Sequence, residues 1–373
     1  MLRFLTSGES HGEALAGILE GMPCGVKIDI KDIDSQLKRR QSGYGRGNRM
    51  KIEDDHSRIL SGLIKDITIG SPIAILIENK DFSIDKLLPI KNPRPGHADL
   101  AGILKYGFKD ARLVLERASA RETAMRVAIG ALCKVFLTEF NIRILSHVIA
   151  IGAIDAMAGN LKFNEIVKKT ADSRLNCADS NAEKLMIEEI DSATKKKDTL
   201  GGVFEVIVDG APPGLGSYAH SDRRLDALLA GGIMSIQAIK AVEIGGAVDV
   251  ARKLGSKAHD EIFYSAAKGI YRKTNNAGGI EGGVSNGEDI IIRGYMKPIS
   301  TLMEGLNTID IATKKPVKAC TERSDVCAVP SAGVIGEAVV AFIIANVLLE
   351  KFGGDNIVDI KNSYETYLSR INL

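Results

Sequence analysis

Three stretches of the chain repeat apolar residues at three- and four-residue spacing, the pattern of helices that bury a face. The first runs from Glu116 to Phe140 with charges interleaved. The second runs from Asp222 to Val242 and opens on Ser221-Asp222, a good N-cap pair. The third, Gly333 to Phe352, is apolar on nearly every side and stops at Gly353-Gly354. A helix without a polar face must be covered all round, so this one is predicted to lie in the middle of the fold. Runs rich in β-branched residues predict strands at Gly25–Ile30, Ile67–Glu78, Ile142–Ala150, Gly202–Val208 and Asp289–Gly294. Strands come as neighbours joined by turns rather than in strict alternation with helices. That order predicts an α+β fold, with long central helices between antiparallel sheets, and argues against a doubly wound parallel sheet.

Two segments, 16–25 and 201–214, echo one another. Each reads as a strand, then Gly-x-Pro-x-Gly, then a polar lead into a helix, so that Gly21, Pro23 and Gly25 correspond to Gly210, Pro212 and Gly214. Either the chain has two pseudo-repeated halves on one core, or two Gly/Pro turns coincide. Residues 163–198 are rich in Lys, Glu, Asp and Asn and read as an exposed, charged helical excursion. No linker divides the rest, so 1–373 is expected to form a single domain.

Composition removes several function classes. Lys and Arg total 49 against 47 Asp and Glu, so no global field draws the chain to nucleic acid or membrane. Trp is absent and aromatics make up 5%, which leaves few platforms for base stacking. Cys24, Cys133, Cys177, Cys320 and Cys327 form no CxxC pair, which speaks against a disulfide framework and a zinc site, and no metal is expected. The opening MLRFLTSGESHG lacks the apolar region of a secretory signal, and the most apolar stretch, Ala338–Leu349, is too short to span a bilayer. A cytoplasmic location is the expectation.

Candidate chemistry sits in glycine-flanked polar clusters. GESHG (8–12) presents Ser10 and His11 between glycines, where a ligand can approach the backbone closely. RRQSGYGRGNRM (39–50) sets Arg39, Arg40, Arg46 and Arg49 among glycines, either a site for a small anion or a flexible basic loop, and matches neither a Walker loop nor a Rossmann fingerprint. In NPRPGHADLAG (92–102) prolines stiffen the backbone before His97, which is either a proton donor to phosphate or a histidine in a turn. Arg323 and Asp325 precede the apolar helix, either at the mouth of a pocket or as a structural ion pair. ERASARETAMRVA (116–128) places Arg117, Ser119, Arg121, Glu122 and Arg126 at the start of an apolar helix, and NNAGGIEGGVSNG (275–287) leads to KPIST (297–301), where Lys297, Ser300 and Thr301 can hold a phosphate.

Taken in order, GESHG, GYGRGNR, RPGHAD, ERASARETA, AGGIEGG with KPIST, and RSDVCAVPSAGVIGEA resemble the signatures of the chorismate synthase family, from residue 8 to residue 338. The resemblance implies an anti-1,4-elimination of phosphate from 5-enolpyruvylshikimate 3-phosphate, dependent on reduced FMN, at the last step of the shikimate pathway. It implies a homotetramer, with NADPH as a candidate reductant. By the same resemblance His11 protonates the reduced flavin, His97 protonates the leaving phosphate, and Asp325 helps remove the ring proton, with Ser10 beside them. Arg40, Arg46 and Arg49 match positions for substrate anions, the first two also for NADPH, and Arg121 joins them as a further candidate. Flavin positions fall on Arg117, Ala118, Ser119, Gln237, Ala238, Gly282, Lys297, Pro298, Ile299, Ser300, Thr301 and Arg323. Rival readings are a flavin or nicotinamide reductase using the same loops, and a nucleic-acid binder using the Arg/Gly loop.

Overall fold

The computed structural model describes residues 1–47, 54–157, 161–267, 269–322 and 324–371. Two antiparallel sheets enclose a layer of helices, the α+β arrangement expected. In the first sheet the spatial order is Arg3–Ser7, Ala14–Glu20, Ile73–Glu78, Ser57–Ile59. Leu15 pairs with Ile77 and Leu19 with Ile73, and these alternate residues turn inward while Ile18 faces out. In the second sheet the order is Ile239–Ile244, Ile290–Met296, Gly202–Asp209, Arg143–Ile151, Ile154–Asp155. Its inward row includes Phe204, Val206, Val208, Ile290 and Ile292, all fully buried.

Between the sheets lie the middle helix, Thr123–Thr138, and the core helix, Val329–Phe352. They meet at Gly130, where an added methyl would stand 2.3 Å from the Ala338 Cβ and 2.4 Å from its Cα. Only a residue without a side chain allows that approach. The core helix is apolar and long enough to cross a membrane, but 78% of its most apolar window is buried by the protein around it. Its one acidic side chain within the buried span, Glu337, is fully enclosed. Burial alone would raise its pKa, yet Lys134 and Arg39 pull it down to about 2. Arg39 donates at 2.7 Å and the Ser146 hydroxyl at 2.6 Å.

The echo between the two Gly-x-Pro-x-Gly turns is structural. Gly21, Gly25, Gly210 and Gly214 all take positive φ, between 81° and 94°. The Thr68 hydroxyl donates to the Pro23 carbonyl at 2.6 Å and accepts from the Val26 N–H; the Ser285 hydroxyl does the same between the Pro212 carbonyl, also at 2.6 Å, and the Leu215 N–H. The same hydroxyl bridge therefore closes both turns, one in each half.

Four local expectations need correction. The helix expected over Asp222–Val242 ends at Met234, and Ile239–Ile244 is a strand paired with Ile290–Met296. Ala238 at φ 68° breaks the helical path between them. Gly25–Ile30 forms no strand, because Asp29 caps a helix that runs Ile30–Gln41 and buries Ile33 and Leu37. Glu116–Phe140 is broken rather than continuous: Arg112–Ala118 ends before a single 3-10 turn, and the middle helix then begins. Within 163–198 the helices Phe163–Thr170 and Ser180–Lys195 do not project freely. Phe163 and Ile166 pack on Leu145 and Ile207 of the second sheet, while Met186 and Ile190 join the main core.

Candidate active site

A cavity of about 410 Å³ opens where the first turns of the middle helix and the core helix come together. Thr123 lines it from one helix, Ser331 and Ala332 from the other. Two helix N-termini facing one space favour an anion, since their free N–H groups and dipoles carry partial positive charge. The clusters picked out in the sequence arrive from separate elements. Ser10 and His11 come from the loop joining the first two strands, Arg40 from the last turn of Ile30–Gln41, and Arg46 from the loop beyond it. His97, Ala118, Ser119, Arg121, Gln237, Ala238, Lys297, Ile299, Ser300, Thr301 and Asp325 complete the contribution of the residues singled out above.

The arginines are held from behind. Arg40 donates to Asp55 Oδ2 at 2.8 Å and Arg121 to Asp55 Oδ1 at 2.6 Å, while the Arg121 Nε reaches Asn79 at 2.8 Å. Burial, with Arg121 and Arg46 nearby, lowers the Arg40 pKa to about 10 despite Asp55. Burial would raise the Asp55 carboxyl, but the two guanidinium groups keep it below the ordinary range. Arg46 donates to Asp325 Oδ2 at 2.7 Å, and the Gly47 N–H to Oδ1 at 2.6 Å. Among the described residues the lining carries Arg40, Arg46, Arg94, Arg121 and Lys297 against the carboxylates of Glu322 and Asp325. The lining itself is therefore rich in positive charge, with Asp55, Asp99 and Glu116 standing behind it. Among the described residues the Nε atoms of Arg40 and Arg46 and the Gln237 Oε1 are buried without a partner.

Both cavity histidines rest on a buried carboxylate. The His11 Nδ1 lies 3.0 Å from each oxygen of Glu116. The His97 Nδ1 contacts Asp99, whose oxygens also accept from Arg94 Nε at 2.8 Å and Nη2 at 3.0 Å. Burial opposes ionisation of Asp99, but hydrogen bonds from His97 and Arg94 hold it far below the usual carboxylate range. Arg94 also donates to the Thr301 hydroxyl at 2.7 Å, and Ser300 donates to the Gly96 carbonyl at 2.9 Å, so the His97 loop is strapped to 297–301. Lys297 donates to Ser300 at 2.9 Å, and burial, with Lys240 repelling it, lowers its pKa. The Ser119 hydroxyl donates to Ser10 at 3.1 Å.

Some singled-out residues lie elsewhere. Arg39 turns from the cavity to Glu337. Arg117 donates to the carbonyls of Thr6 at 2.9 Å and Gly8 at 3.2 Å and is not part of the lining. Gly282 sits in the turn between Ile280–Glu281 and Val284–Ser285, where its carbonyl accepts from Arg224 at 3.2 Å. Pro298 is not a lining residue, and Arg49 and Arg323 lie outside the described residues. Sequence reasoning missed Asp55, Arg94, Asp99, Glu116 and Glu322 as site residues. The available signals were a carboxylate two places after His97 and the acidic run that follows the arginine loop.

Comparison with known proteins gives this cavity its context. The family model for chorismate synthase matches residues 2–349. The chain belongs to the chorismate synthase family. It is 53% identical to the chorismate synthase of Alkaliphilus metalliredigens over 99% of this chain and 100% of that one. It is 52% identical to that of Koribacter versatilis over 100% and 99%. A crystal structure of a chorismate synthase superposes with a TM-score of 0.83 at 41% identity, covering 100% of this chain and 98% of the other. Chorismate synthases are carbon–oxygen lyases of aromatic amino acid biosynthesis, and such an enzyme acts on a small molecule.

Proposed function

We propose that the cavity binds 5-enolpyruvylshikimate 3-phosphate beside reduced FMN and eliminates phosphate and a ring proton in an anti-1,4 sense to give chorismate. The observation that carries this reading is a surplus of guanidinium groups and two carboxylate-backed histidines around one space. A substrate with two carboxylates and a phosphate matches that surplus. Arg40, Arg46 and Arg121 bind it, joined by Arg49 from the family pattern.

The remaining lining fits a flavin. Leu115, Ala118, Ile236, Met296 and Ile335 offer apolar surface, the orphaned Gln237 Oε1 offers an acceptor, and Lys297, Ser300 and Thr301 suit a phosphate. When bound, reduced FMN supplies electron density to the C–O bond that breaks and regains it afterwards. The protein's own groups do the rest. His97 delivers a proton to the departing phosphate, with Asp99 holding its ring. His11 exchanges a proton with the flavin through its cavity-facing nitrogen, and Asp325, kept in place by Arg46 and the Gly47 N–H, helps take the ring proton. NADPH, where it serves as reductant, shares Arg40 and Arg46. The whole chain acts as one unit in the cytoplasm and assembles as a homotetramer, for which exposed Leu5 and Ile18 on the first sheet offer apolar surface.

Anaerobic phosphate release from 5-enolpyruvylshikimate 3-phosphate, with dithionite-reduced FMN supplied and then withheld, tests the reading. Release and the chorismate absorbance are expected only with reduced flavin. No release from folded protein in either arm would refute it, and NADPH oxidation without the shikimate ester would favour a reductase.

A further inference from the structure

We infer that Glu116 is a positioning residue that fixes which ring nitrogen His11 presents to the cavity. One residue holds both His11 and its predecessor. The backbone carbonyl of Glu116 accepts from the Ser10 N–H at 2.9 Å, Oε2 accepts from the His11 N–H at 2.8 Å, and the carboxylate faces the ring Nδ1 at 3.0 Å. A carboxylate is an acceptor only, so the hydrogen of a neutral His11 ring belongs on Nδ1 and Nε2 is left for the cavity.

The carboxylate is itself fixed from the far side. Arg112 lies 3.8 Å from Glu116 Oε1 and donates to Glu322, a cavity residue, at 2.7 Å. A chain of contacts thus runs His11–Glu116–Arg112–Glu322 behind the cavity wall. Only 3% of the Glu116 side chain is exposed. Burying a carboxylate is costly unless it is paired, and here the imidazole that pairs with it lines the cavity. His97 has the same support from Asp99, two residues away, whereas Glu116 reaches His11 from 105 residues along the chain. The kinetic consequence rests on the flavin-dependent reading; the ring orientation does not.

The test uses the full-length protein labelled with 15N-histidine at about pH 8.5, above the ordinary titration range of the side chain. Of its six histidines, His11 is assigned by the ring signal lost in His11→Asn. Long-range 15N–1H spectra of the wild type are expected to show a hydrogen on His11 Nδ1. In Glu116→Met it moves to Nε2, kcat for anaerobic phosphate release falls about 100-fold, and KM stays within about 3-fold. Glu116→Gln, with one acceptor oxygen for the ring and the backbone N–H together, gives a mixed tautomer and a loss of about 10-fold. It decides the matter alone if the Met variant does not fold. An Nδ1 without hydrogen in the wild type, a Gln variant identical to wild type, a Met variant with an unchanged tautomer, or a loss confined to KM overturns the assignment. A tautomer that shifts as described in the variants, with a wild type that releases no phosphate, overturns the elimination reading and leaves the positioning role standing.

Discussion

Along the second sheet, on the face turned away from the core helix, His147, Glu205, Arg293 and Glu243 stand in one transverse row, whereas the charges at the cavity follow no such order. In the row each residue is the register partner of the next. His147 Nε2 lies 3.0 Å from Glu205, Arg293 donates to Glu205 at 2.7 Å and to Glu243 at 3.5 Å, and Tyr295 donates to Glu243 as well. Donors and carboxylates alternate, and among the described residues the one orphaned polar atom there is the His147 Nδ1. Around the cavity Arg40 and Arg121 share Asp55 while Arg46 pairs with Asp325, and among the described residues the Nε atoms of Arg40 and Arg46 remain buried with no acceptor. A ladder in which every carboxylate has a donor beside it needs nothing from outside and serves stability. A cluster that leaves buried guanidinium N–H groups over costs the empty protein free energy, and an incoming anion recovers it.

The largest test of that contrast removes a cavity cation. Arg46→Ala deletes a donor and frees Asp325, and anaerobic phosphate release should fall about 1,000-fold in kcat/KM, roughly 4 kcal/mol of barrier. The melting temperature should fall only modestly, because the Gly47 N–H still holds Asp325, whose side chain is 20% exposed. Activity within a few-fold of wild type would mean that the surplus is not for binding. A smaller effect, of a different kind, is expected in the ladder. Glu205→Gln keeps the volume but leaves Arg293 without its nearer carboxylate, and should cost about 2–3 kcal/mol in urea unfolding. Turnover per folded molecule should not change. A variant that melts normally but turns over slowly would erase the distinction between the two regions.

The same contrast explains what the sequence could reveal. Residues facing the cavity come from short glycine-flanked strings, and Ser10, His11, Arg40, Arg46, His97, Ser119 and Asp325 were visible there because polar text interrupts apolar text. Their supports were not visible. Asp55 and Glu116 are ordinary acidic residues, and only the packing of distant segments tells them from solvated ones. The core helix and three of the five strands were legible because periodicity records burial, while the expected Ile67–Glu78 divides into Ile67–Thr68 and Ile73–Glu78. The stretch after Met234 was not, since Ile236, Ile239 and Val242 suit a helix as well as a strand. Pairing with Ile290–Met296 decides between them, and local propensity yields to that pairing. The two-half echo was legible in its glycines, but Thr68 and Ser285, which close both turns in the same way, had no sequence signal at all.

The smallest effect comes from a place on the second sheet where the ladder's logic is broken. Asp289 precedes the strand Ile290–Met296. Burial first, then repulsion from Asp209 and Glu288, raises its pKa from 3.8 to about 6, with Arg143 only partly opposing. A folded-state pKa above the unfolded value means that the native carboxyl holds its proton more tightly. The stability it contributes is full below about pH 4 and is lost as pH rises through 6. Asp289→Asn removes the titration, so variant and wild type should melt together at low pH. The curves should separate between those two values, and above neutrality the variant should be the more stable. Because the group is partly open to solvent, the gain is roughly 1 kcal/mol, about 1 °C in a chain of this length. Melts across this range check it. A constant gap would mean that the carboxylate is not strained, and a gap of opposite sign would mean that Arg143 pairs with Asp289 as fully as the ladder residues pair with one another.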